Sequence, residues 1–214
     1  MGKQKRHRKS ATERRSDWQS EIDDELKQEI LFAESERGAV LVGTAFIEEG
    51  LEHVLRAAFS SLCETIDEEY LNNLMLTSSR NPNPPLGSFA VRTKIAYAIG
   101  LIDQKFRQGL DELRLLRNSL AHRSRDGPRP QLTHENVNAL IALVVSGPAK
   151  AGAGVYELGK VEAPDGTDLH DIDPVRYKFL FLVWIILDRL TKIEQHLISP
   201  SNQSHSSPDA IDSP

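Results

Sequence analysis

The chain has 214 residues, 39% of them hydrophobic and only 6% aromatic, with a net charge of −5. That length suits one domain with tails, and a core of Leu, Ile, Val and Ala favours helices over strands. A single cysteine, Cys63, excludes an internal disulfide framework, no Cys/His spacing matches a zinc site, and no glycine-rich phosphate loop is present.

The charge is unevenly placed. Residues 1–15 carry Lys3, Lys5, Arg6, Arg8, Lys9, Arg14 and Arg15 against Glu13 alone, so the body that follows is acidic. Residues 1–16 have no apolar period and are expected to be a disordered basic arm. Such an arm serves either as a solvated tail or as a nucleic-acid contact. No apolar h-region follows it, and the run Tyr177 to Leu187 is too short to span a bilayer, so a cytoplasmic protein without membrane contact is expected.

A first helix is expected from near Asp17 to Ala33, with Ile22, Leu26, Ile30 and Leu31 as its apolar stripe. Ser35 caps a second, which runs to about Cys63 with Val40, Ile47, Leu51, Val54, Ala58 and Leu62 on one face. At ~1.5 Å per residue it reaches about 40 Å, the spine of a bundle. Cys63 at its end reads as a small buried side chain, with a reactive thiol as the alternative. Asp67 to Met75 forms a short helix, and the prolines of residues 78–85 then exclude regular structure.

Leu86-Gly87 reads as a turn that sets Ser88 as the N-cap of a helix over 89–99, with Gly100 as its stop and Arg92 and Lys94 on the wet side. Asp103 caps the next helix, which buries Phe106, Leu110, Leu113, Leu116 and Leu120. Thr133 caps a helix to about Val145. Residues 146–172 lose the helical period, and 155–161 fits either a short hairpin or an irregular loop. Asp173-Pro174 places Asp at N-cap and Pro at N1 of a last helix to about Ile198. From Ser199 onward the chain is Ser/Pro-rich and reads as a disordered tail. The domain is therefore 17–198, between the arm and the tail at 199–214.

The helix that Asp103 opens leads directly into Arg117-Asn118-Ser119-Leu120-Ala121-His122. A guanidinium clamps phosphate in a fork that lysine cannot copy, and an imidazole titrates near neutral pH. Arg123, Arg125 and Arg129 follow and could extend a phosphate-binding strip. Cations also offset the dipole at a helix C-terminus, so the same residues fit a purely structural end. Residues five apart point roughly 140° apart on a straight helix, so Arg117 and His122 meet one phosphate only at a helix end or with help from a second subunit. Glu49 is a candidate orienter, pairing with Arg117 across the bundle.

The spacing of Arg117 and His122, with polar Asn118 between them, resembles the Arg-x4-6-His signature of the HEPN superfamily. Residues 83–102 and the stretch from Glu34 to Glu49 are similar to the mannitol operon repressor family, a branch of that superfamily, and the likeness covers roughly residues 30–145. It implies an all-α, HEPN-like helical bundle and a homodimer whose two motif helices share a groove. In the repressor branch it implies a regulator acting on a protein or nucleic-acid partner. In the wider superfamily it implies a metal-independent ribonuclease, toxin-like and held by a neutralising antitoxin. There His122 would take the proton of a ribose 2′-OH or protonate the leaving oxygen, Arg117 would stabilise the transition state, and Asn118 would orient Arg117 or hold the RNA backbone. No cofactor or metal is expected in either case.

Overall fold

The computed structural model describes Leu26, Glu29, Ile30, Ala33 and residues 35–63, 65–121, 131–145 and 173–198. Its regular elements are helices, as the composition predicts. They are α1 (Glu36–Leu62), α2 (Glu68–Met75), α3 (Phe89–Ala98), α4 (Gln104–Ala121), α5 (His134–Val145) and α6 (Pro174–Ile198). Leu26, Glu29 and Ile30 are also helical, and Leu26 and Ile30 are buried. Ala33, the expected end of the helix over 17–33, is not helical; the remainder of that helix lies outside the described residues, as do the arm, the tail and the 155–161 segment. Among the described residues no helix is long and apolar enough to cross a membrane.

Each helix starts where a short polar side chain can satisfy a free backbone N–H. Ser35 accepts from Gly38 N at 3.1 Å, Asp67 from Tyr70 N at 2.7 Å, and Ser88 from Val91 N at 3.3 Å. Asp103 accepts from Phe106 N at 2.8 Å and Asp173 from Val175 N at 2.9 Å. Thr133 and Asn136 cap reciprocally, each side chain accepting from the other's backbone N–H. Gly100 ends α3 at φ +77, with Leu101 N donating to Ala96 O and Gly100 N to Tyr97 O. This is a Schellman closure, which requires the left-handed conformation that glycine adopts freely.

The spine α1 packs against α4, as expected, but its most extensive partner is α6. Glycines on α1 bring the two helices together. A Cβ at Gly43 would lie 2.8 Å from Phe179 Cε1 and 2.9 Å from Val183 Cγ2, and one at Gly50 would crowd Leu187 and Leu190. Helix α5 joins α4 to α6, and Gly109 on α4 meets Val144 just as closely. Ile47, Leu51, Leu55, Phe106, Leu110, Leu113, Phe179 and Val183 form a continuous core among these helices.

Several expectations change. Leu62, expected on the apolar face of α1, is 73% exposed at the last residue of that helix, and Leu116, expected buried on α4, is only partly buried. Cys63 is only partly buried, because it caps the end of α1, where its Sγ lies 3.0 Å from Thr65 Oγ1. Arg92, expected on the wet side of α3, is 5% exposed. It follows Phe89 by three residues and precedes Ala96 by four, so it shares their buried stripe. Its guanidinium donates to the carbonyls of Leu86 (2.8 Å), Glu48 (3.0 Å) and Met75 (2.9 Å) and pairs with Glu52 at 2.8 Å. Glu52 in turn holds Arg56 at 2.9 Å, and Arg56 reaches Glu68 and Asn72 on α2. One buried cation thus ties α1, α2, α3 and the proline loop together. Lys94 is exposed, as expected.

Candidate functional site

Helix α4 positions the motif. Asp103 caps its first turn, and Arg189 from α6 grips that cap at 3.0 Å while its guanidinium lies 4.2 Å over the Phe106 ring. Burial pushes the Asp103 carboxyl up, but the Phe106 N–H, the Arg189 hydrogen bond and charge, and the Lys105 N–H together hold it below its ordinary value. The start of α4 is therefore fixed against α6. Its far end carries the motif.

Arg117 lies four residues after Leu113, seven after Leu110 and eleven after Phe106, so it continues the stripe that those buried side chains form. It is half-buried, and its side chain makes no hydrogen bond or ion pair with any other described residue. Asn118, rotated about 100° onward, is also half-buried and lies in line with Arg107, Asp111 and Arg114. The Ser119 hydroxyl donates back to Leu116 O at 2.8 Å, and Leu120 is buried. His122, Arg123, Arg125 and Arg129 lie outside the described residues.

Glu49 does not pair with Arg117. Ile47, Gly50, Leu51 and Val54 occupy the buried face of α1 and turn Glu49 toward water. Its carboxylate lies 3.9 Å from His53 Nε2, one turn along the same helix. Arg117 and Asn118 are therefore adjacent on α4, with Glu49 engaged elsewhere.

An open groove of about 510 Å³ runs between α4 and α5, lined by Glu112, Leu115, Leu116 and Ser119 of the first and Asn136, Ala139, Leu140 and Leu143 of the second. Each set follows the same i, i+3, i+4, i+7 spacing. Arg117 is rotated roughly 100–160° from the α4 members of that lining, so the groove and the motif occupy different sides of the helix. Among the described residues no group of three or more His, Cys, Asp or Glu side chains could hold a metal ion.

The sequence reading missed the Arg92–Glu52–Arg56 chain and the contact of Arg107 with Tyr97. The signal for Arg92 was its register with Phe89 and Ala96; for Glu52 and Arg56 it was their i, i+4 spacing. Comparison of the chain with protein-family models, with curated proteins and with solved structures gives no match in any of the three. The functional reading therefore rests on the residues themselves.

Proposed function

We propose that this protein is a cytoplasmic regulator similar to the mannitol operon repressor, working as a homodimeric, HEPN-like module through protein or nucleic-acid contacts. The observation that supports it is the state of Arg117. A long cation occupies the apolar register at the end of the motif helix, yet its guanidinium has no partner among the described residues. Burying even part of a charge without a counter-ion has a free-energy cost, which an external anion or a partner's carboxylate would offset. Leu115, 50% exposed on the same helix, supports a mate that covers α4.

The second reading is a metal-independent ribonuclease with a composite site of Arg117, Asn118 and His122, restrained by an antitoxin. The Arg117 guanidinium, without a partner among the described residues, favours it as well, because a phosphate takes a bidentate fork. An RNA-cleavage assay in chelator, run beside light scattering, separates the two readings. The regulator reading expects no cleavage and a mass above the 23.9 kDa monomer. Cleavage that leaves 2′,3′-cyclic phosphate ends and is lost in both His122→Ala and Arg117→Lys would establish the enzyme instead. A monomer at micromolar concentration would remove the shared-groove arrangement from both.

A further inference from the structure

Arg107, Asp111, Arg114 and Asn118 follow one another at i, i+4, i+7 and i+11, so they form a straight strip along one face of α4. At ~1.5 Å per residue the strip is about 16 Å long, and it ends beside Arg117. Its one acid, Asp111, is held by Arg107 at 2.7 Å. The Arg114 side chain has no ion pair or hydrogen bond among the described residues, and its Nε, like that of Arg107, is shielded from water without an acceptor. Arg56 and Arg92 are committed to Glu52, and Arg189 to Asp103. Among the described residues the guanidiniums of Arg114 and Arg117 have no such partner, and unlike those of Arg37 and Arg80 they lie together, three residues apart on one helix.

An aromatic ring flanks the strip. Tyr97 of α3 is 42% exposed and lies under the Arg107 guanidinium at 5.2 Å. Lys94, also exposed, precedes it by three residues and so lies on the same side of α3. Cations alone suit any polyanion. Cations beside an exposed ring suit a chain that alternates charge with flat, unpaired bases, since a duplex hides its base faces and an acidic peptide has none.

We propose that this strip is a binding track for a single-stranded polynucleotide, with phosphates held by Arg114 and Arg117 and a base stacked on Tyr97. The proposal deepens the nucleic-acid side of the function proposed above and is independent of whether the strand is cleaved.

Fluorescence anisotropy with the full chain tests it, using labelled oligouridylate, oligothymidylate, duplex DNA and polyglutamate over a salt series. Either single strand should bind more tightly than duplex or polyglutamate, and the stronger of the two identifies the preferred sugar. Arg114→Gln should lower the slope of log K against log salt by roughly 0.7, the contribution of one single-strand phosphate. Tyr97→Ala should weaken the single strand roughly tenfold, with Tyr97→Phe restoring it, because stacking needs the ring and not the hydroxyl. Circular dichroism confirms that each variant is folded. Equal binding of polyglutamate, or unchanged binding in folded Arg114→Gln and Tyr97→Ala, would overturn the track. Should the wild type bind no strand yet scatter as a dimer, the track fails while a regulator acting through protein contacts stands.

Discussion

Replacing Arg92 with alanine removes one side chain from four partners at once. The carbonyls of Leu86, Glu48 and Met75 lose their donors, and Glu52, itself 16% exposed, keeps only Arg56. Removing one member of a buried ion pair costs about 3–5 kcal/mol, because the remaining charge and acceptors stay out of water unpaired. For a chain of this size a loss of ~1 kcal/mol moves the melting temperature by about 2–4 °C, so a fall on the order of 10 °C is expected. Urea denaturation followed by helical circular dichroism gives the free energy directly. Arg92→Lys should recover only part of it: one ammonium keeps the charge for Glu52 but cannot span three separated carbonyls. A double-mutant cycle with Glu52→Gln should show coupling of roughly 1–3 kcal/mol. If Arg92→Ala cost less than about 1 kcal/mol, the carbonyls must find other donors, and the argument that Arg92 ties these segments together would be refuted.

Gly43→Ala should cost about 1–3 kcal/mol by forcing Phe179 and Val183 apart, read as a shift of the urea midpoint with an unchanged slope. Gly100→Ala meets nothing within 4 Å, so its expected loss of about 1 kcal/mol comes from the positive φ alone, and Gly100→Asn should lose less. Asp103 has its pKa lowered in the folded chain, so the stability it adds is present above the unfolded value and is lost as pH falls through the folded one. Asp103→Asn should accordingly flatten the decline of melting temperature below about pH 4; an acid limb as steep as the wild type's would contradict this.

The cap residues were legible because capping is local. Ser35, Asp67, Ser88, Asp103, Thr133 and Asp173 each act within three residues, so a short window of sequence holds the whole interaction. The buried stripe of α4 was legible for the same reason. Pairings across the fold were not. Nothing in the residues near Gly43 and Gly50 says that their missing side chains admit α6, since that contact joins opposite ends of the described chain. Arg92 was misplaced because charge was weighed above register, although Phe89, Thr93 and Ala96 mark its face as buried. In the motif, the place of Arg117 on α4 follows from periodicity. The partner of Glu49 does not, because a nearby histidine on its own helix face competed with an arginine across the bundle.

The seam between α1 and α6 also governs the order in which this core can be completed. The groove that Gly43 and Gly50 leave on α1 is synthesised well before Phe179, Val183, Leu187 and Leu190, which fill it. Closing so long a loop is entropically slow, so the α1 face waits unprotected on the nascent chain. A fragment that stops short of Pro174 would carry that face permanently exposed and would be expected to aggregate or to be recognised by chaperones, even though its own helices have every cap they need.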